Sequence, residues 1–259
     1  MGKRVVYCKS STITEAWALV LGLASEPNRD EVDALPAAAH KRLGSTARDP
    51  AFIVVQGLKD RSKTPPHWNQ QRSWNGRRQL ARIGHQYLSV HYLANEESRY
   101  SRYEECLQHP LEAWLDSYGE VLTREPAAYP LSSVVFGYVN KFDFPIENFD
   151  LSRFFRISVG IGADTPASEL VGLDAGFRYI NGMAEVTMRV AVDTVLADEG
   201  RISVLTTVTA ERDAEKYSFK DKEAILATVL QAKESAKDGF FSVATDETHT
   251  LMGAQYASE

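Results

Sequence analysis

Two stretches in the second half of the chain constrain its architecture most. In residues 185–196, Val186, Met188, Val190, Val192 and Leu196 alternate with Glu185, Arg189 and Asp193. After an Asp198-Glu199-Gly200 turn, Ile202, Val204, Thr206 and Val208 repeat the period of two across residues 201–211. Successive strand side chains point to opposite faces, so the pattern predicts an antiparallel sheet with one face on a core and the other solvated. Such a sheet needs a covering layer. Residues 219–238, with Ile225, Leu226, Val229, Ala232 and Ala236 at helical spacing, predict one.

The same half offers two more strands. Residues 131–144 place Val134, Phe136, Tyr138, Phe142 and Phe144 on one face, and residues 170–179 end at an Asn181-Gly182 turn. Between them, Asn148 or Asp150 caps a short helix running to Phe155.

The first half reads less evenly. Residues 4–8 form a short apolar strand. Ser10, Ser11 and Thr12 followed by Glu15 read as a helix cap. Residues 14–23 then become an amphipathic helix with Ile13, Trp17, Val20, Leu21 and Ala24 on one side. A second helix over residues 30–43 ends at Gly44, and residues 51–56 form an apolar strand. Residues 85–93 alternate as another strand, and residues 103–122 carry Leu107, Leu111, Trp114, Leu115, Tyr118 and Leu122 at helical spacing. Pro110 predicts a kink or restart inside that helix. The expected fold class is α+β, with two similar halves (residues 1–126 and 127–259). Each half runs strand, helix, three or four strands, helix, on antiparallel sheet.

Asn75-Gly76 is the strongest local turn signal, since type I′ hairpins need positive φ at both central residues. A two-residue turn pairs Trp74 with Arg77, Arg72 with Gln79, Gln70 with Ala81 and Trp68 with Ile83. The segment is also basic. Lys59, Arg61, Lys63, Arg72, Arg77, Arg78 and Arg82 face only Asp60, so it carries +6 and the rest of a chain of net charge -6 carries -12. Arginines beside aromatics bind phosphates and stack bases. Trp68, Arg72, Trp74, Arg77, Arg78 and Arg82 are therefore the candidate nucleic-acid contacts. The plainer alternative is a charged, solvated sheet edge anchored by Trp68 and Ile83.

Other chemistry fails on spacing. The two cysteines, Cys8 and Cys106, show no metal-ligand arrangement, and two thiols without a framework fit a reducing compartment. His85 and Ser89 on one strand lie about 13 Å apart, too far for a nucleophile–base pair, so no dyad is expected there. Asp143, Glu147 and Asp150 match no calcium loop, and residues 159–163 lack the glycine and lysine of a phosphate loop. No catalytic residue, metal or cofactor is expected. Lys3 and Arg4 before the apolar residues 16–24 imitate a secretory signal, but Glu15 interrupts it. No segment reaches membrane-span length, and Val6 spoils a myristoylation motif. A cytoplasmic protein without membrane contact is the expectation.

Several segments together resemble a known group. They are residues 85–90 (His-Gln-Tyr-Leu-Ser-Val), 100–120, 135–143 (Val-Phe-Gly-Tyr-Val-Asn-Lys-Phe-Asp), 149–155 (Phe-Asp-Leu-Ser-Arg-Phe-Phe) and 239–247. In this order they resemble a sporadically distributed prokaryotic TIGR-type family of uncharacterised proteins, over residues 70–259. The resemblance implies no catalytic residues. Its patchy distribution implies a defence or toxin–antitoxin setting. The functional expectation is non-catalytic recognition of a protein partner, with nucleic-acid binding by the Trp68–Arg82 hairpin as the alternative and an enzyme with a dispersed site as a weaker one.

Overall fold

The computed structural model describes residues 5–8, 12–22, 31, 34, 38–39, 41–42, 70–74, 79–83, 87–94, 99–145, 150–156, 172–193 and 200–256. Its centre is one eight-stranded antiparallel sheet. The strands are β2 (Ile13–Gly22), β3 (Gln70–Trp74), β4 (Gln79–Ile83), β5 (Tyr87–Leu93), β6 (Leu131–Pro145), β7 (Gly172–Asn181), β8 (Ala184–Asp193) and β9 (Arg201–Asp213), in the order β3-β4-β5-β2-β6-β9-β8-β7. A separate ribbon pairs β1 (Val5–Cys8) with β10 (Ala254–Tyr256). Helix α1 (His109–Val121), preceded by a π-helical turn over Glu104–Gln108, and α3 (Lys222–Val243) are the long helices. Two short ones, α2 (Leu151–Phe154) and α4 (Asp246–Leu251), flank them.

Both long helices lie on the same face of the sheet. Ala16, Ala18, Val20, Leu88, Val90, Phe136, Val186, Met188, Val204 and Val208 point toward them and are buried. From α3, Ile225, Val229, Ala232, Ala236 and Phe240 complete the core. Tyr138 donates from its hydroxyl to the Ala236 carbonyl at 3.0 Å, and Gln79 donates to the Glu105 and Cys106 carbonyls of the π turn. A buried polar pair on the helix side of the sheet is matched. Asn140 donates to Thr206 at 3.3 Å and accepts from Thr12 at 2.9 Å.

The expected strands over residues 131–144, 170–179, 185–196 and 201–211 are present, and so are the helices over 103–122 and 219–238, with shifted ends. Pro110 sits in the first turn of α1, where its missing N–H costs nothing, directly after the π turn. Asp150 caps α2 by accepting from the Ser152 amide at 2.9 Å. Glu31, Ala34, Ala38, Ala39, Lys41 and Arg42 are helical, and Glu31 accepts from the buried Tyr129 hydroxyl at 2.9 Å.

Two expectations need correction. The helix expected over residues 14–23 is not formed: residues 14–22 lie in β2, at the middle of the sheet. An apolar run from residue 16 satisfies either period, and here alternation wins because both edges of β2 are paired, one with β5 and the other with β6. Ala16, Ala18 and Val20 turn to the helices, while Trp17, Leu19 and Leu21 turn to the other face. The hairpin register also differs. Trp74 pairs with Gln79, Arg72 with Ala81 and Gln70 with Ile83, leaving four residues in the connection rather than two. The register of β4 is held from its other side, where Gln79 is buried against the π turn opposite Tyr92. A slip of two keeps every residue on its expected face. The expected strand over residues 51–56 and the Asn75-Gly76 turn lie outside the described residues.

With β2 a strand that bridges β5 and β6, the strands on either side of residue 126 belong to one sheet. Among the described residues, no helix is long and apolar enough to cross a membrane.

Candidate functional site

The face of the sheet that no helix covers among the described residues, the helix-free face, holds the most distinctive chemistry. Trp17 stands directly across from Gly137 on β6. A Cβ at Gly137 would come within 2.3 Å of the Trp17 ring, so the missing side chain is what lets the indole lie over β6. Across the other ladder, Trp17 faces His91, and the two rings run near-parallel with centroids 6.3 Å apart.

His91 is the centre of a hydrogen-bonded relay. Its Nε2 lies 3.0 Å from Ser89 Oγ and its Nδ1 lies 3.0 Å from Glu15 Oε1. With Glu15 ionised, the network assigns Nδ1–H as donor to the carboxylate and leaves Nε2 to accept from the serine hydroxyl. Ser89 and His91 are 4% and 7% exposed. They open onto a pocket of about 480 Å³ whose walls are Trp17, Leu19, Leu21 and Val139.

The expectation that this strand holds no serine–histidine pair is thus corrected. The distance argument tested His85 against Ser89, but the pair that meets is Ser89 and His91, two residues apart on one face of β5. The third member was invisible in sequence because residues 14–23 read as a helix. Only the pairing of β2 with β5 brings Glu15 diagonally beside His91.

A second depression, of about 440 Å³, lies at the β7–β8 turn. It gathers the carboxylates of Glu185, Glu211, Asp213 and Glu215. Ile180 and Met183 stand at its rim, 69% and 80% exposed. Glu185 sits directly opposite Glu211 in the ladder, a like-charge pairing that sheets disfavour, although Arg178 lies 3.2 Å from Glu185. Ser133, 7% exposed, lines this depression, and its hydroxyl has no hydrogen-bond partner among the described residues. The two depressions adjoin: Leu21 pairs with Ser133, and Ser133 pairs with Asp213.

Of the candidate nucleic-acid residues, Arg72 and Trp74 lie on β3, in register with Ala81 and Gln79, and Arg82 lies on β4, in register with Ser89. Trp68, Arg77 and Arg78 lie outside the described residues. Asp143, noted for its acidic neighbours, accepts from Ser203 Oγ at 2.5 Å and lies 3.5 Å from Lys141 Nζ. Its carboxylate is engaged in sheet contacts. Cys106 is a buried free thiol.

No family model, no curated protein and no solved structure matches this chain.

Proposed function

We propose that this protein recognises a protein partner on the helix-free face of its sheet, and that the partner contributes a basic segment carrying a large apolar side chain. One observation carries the reading. Leu21 of the apolar pocket pairs in the ladder with Ser133 of the four-carboxylate depression, which Ile180 and Met183 rim. Exposed apolar side chains beside an excess of negative charge favour a ligand that is apolar and of opposite charge. Phosphates would meet repulsion at that end of the face, which favours a protein over a nucleic acid.

The test is calorimetric titration with a lysine- and arginine-rich peptide bearing one tryptophan. Binding should weaken as salt rises. The double substitution Glu211→Gln and Asp213→Asn should weaken it by about tenfold or more, the size of effect expected when rim and half-buried charges lose their partners. Removing the like-charge contact should at the same time raise the melting temperature. Undiminished affinity in that variant contradicts the reading. Tight, salt-sensitive binding of a duplex oligonucleotide, lost on Arg77→Ala with Arg78→Ala, would transfer it to the hairpin.

The setting we propose is a prokaryotic cytoplasm, with the partner encoded beside this gene in a defence or toxin–antitoxin pair. Co-expression with that neighbour should give a complex on gel filtration, and separate elution counts against this setting.

A further inference from the structure

From the relay on β5 and β2 we infer that Ser89 is a covalent nucleophile, acting on esters of apolar acids, with His91 as its base and Glu15 as the group that orients His91. The inference shares the apolar pocket of Trp17, Leu19 and Leu21 with the partner reading but uses none of the four carboxylates at the β7–β8 turn, so labelling of Ser89 and peptide binding can fail separately.

The geometry has the three links that a serine needs. An unassisted hydroxyl is a weak nucleophile, and an imidazole within hydrogen-bond reach activates it. Here that imidazole nitrogen is 3.0 Å from Ser89 Oγ. A carboxylate on the far nitrogen fixes the tautomer and stabilises the imidazolium as it forms, and Glu15 lies 3.0 Å from that nitrogen. Trp17, nearly parallel to His91, bounds the ring's other freedom. The open hollow beside Ser89, lined by Trp17, Leu19 and Leu21, then receives an apolar acyl group.

The step balances without a cofactor. Ser89 Oγ attacks the ester carbon as its proton passes to His91 Nε2. The carbon–oxygen bond to the leaving alcohol then breaks, and the alcohol departs with that proton. Water attacks the acyl-serine, giving one proton to His91, which returns it to Ser89 as the acid is released. The negative charge on the carbonyl oxygen needs a donor. Because β5 is paired on both sides, the amides around Ser89 lie within ladders. In the β4–β5 ladder the residue paired with Ser89 is Arg82.

A network that merely satisfies polar groups in a packed sheet predicts an inert serine, so reactivity separates the two cases. The full chain is incubated with a long-chain alkyl fluorophosphonate, in which the serine oxygen displaces fluoride from phosphorus. Mass spectrometry should find one adduct, on the peptide containing Ser89. Ser89→Ala, which deletes one atom, should abolish it. Labelling should slow by about a hundredfold in His91→Gln, the typical worth of a positioned base. An unlabelled Ser89 in folded protein overturns the inference. So does an adduct that persists in Ser89→Ala, or a His91→Gln variant that melts like the parent and labels as fast.

Discussion

Phe240→Ala should lower unfolding stability by about 3–5 kcal/mol, the cost of deleting a buried aromatic side chain and leaving its cavity. Phe240 is 1% exposed and joins three parts of the fold. Its ring lies 6.3 Å from Tyr138 and 6.4 Å from Phe142 on β6, 6.4 Å from Phe155 and 5.2 Å from Phe241. No single neighbour can collapse into the space. The sheet beneath is stiffened by pairing on both sides of β6, and α3 is held nearby by the Tyr138 bond to Ala236. Urea denaturation should show one cooperative transition with a much lower midpoint. A loss under 1 kcal/mol would mean that α3 does not dock on β6 through this cluster.

Gly137→Ala should be damaging for the opposite reason, excess volume. The added methyl meets Trp17 Cζ2 at 2.3 Å, Cε2 at 2.5 Å and Cη2 at 2.9 Å. Overpacking of this kind costs about 1–3 kcal/mol. The backbone has little room to yield, because β6 is paired along most of its length with β2 and β9. The indole must therefore swing away, which breaks its alignment with His91 and deforms the apolar pocket. The change should act on site and stability together, reducing peptide binding and Ser89 labelling more than a comparable cavity mutation remote from this face. Trp17→Leu in the Gly137→Ala background should recover part of the stability. Additive losses would show that the two residues do not meet.

How far this molecule was legible in its sequence depends on whether one face or two were apolar. β8 and β9 each have one greasy face and one polar face, so Val186 through Val192 and Ile202 through Val208 announce both strand and orientation. β2 is apolar on both faces because helices cover one and Trp17, Leu19 and Leu21 line a pocket on the other. Its period is thereby erased, and the polar residues before it imitate a helix cap. The hairpin shows a related limit. Asn75-Gly76 predicts a two-residue turn, but the register belongs to β4 and β5, where Gln79 and Tyr92 meet. The carboxylate of the relay was hidden for the same reason as β2. Ser89 and His91 are visible as neighbours on a strand, whereas Glu15 is 76 positions away from His91 and joins it only through the sheet. The acidic depression is also assembled from distant segments, with Glu185 from β8 and Glu211 and Asp213 from β9.

The central claim, that the helix-free face is the recognition surface, is tested most directly by hydroxyl-radical footprinting with and without the basic, tryptophan-bearing peptide. Met183, 80% exposed at the rim, is a readily oxidised reporter on that face. Leu251, 52% exposed on α4, and Leu230, 46% exposed on α3, report on surfaces away from it. Bound peptide should protect Met183 and Trp17 and leave Leu230 and Leu251 oxidising at their free rates. Protection of Leu230 or Leu251 with Met183 still reactive would place the recognition surface on the helical side and contradict the account.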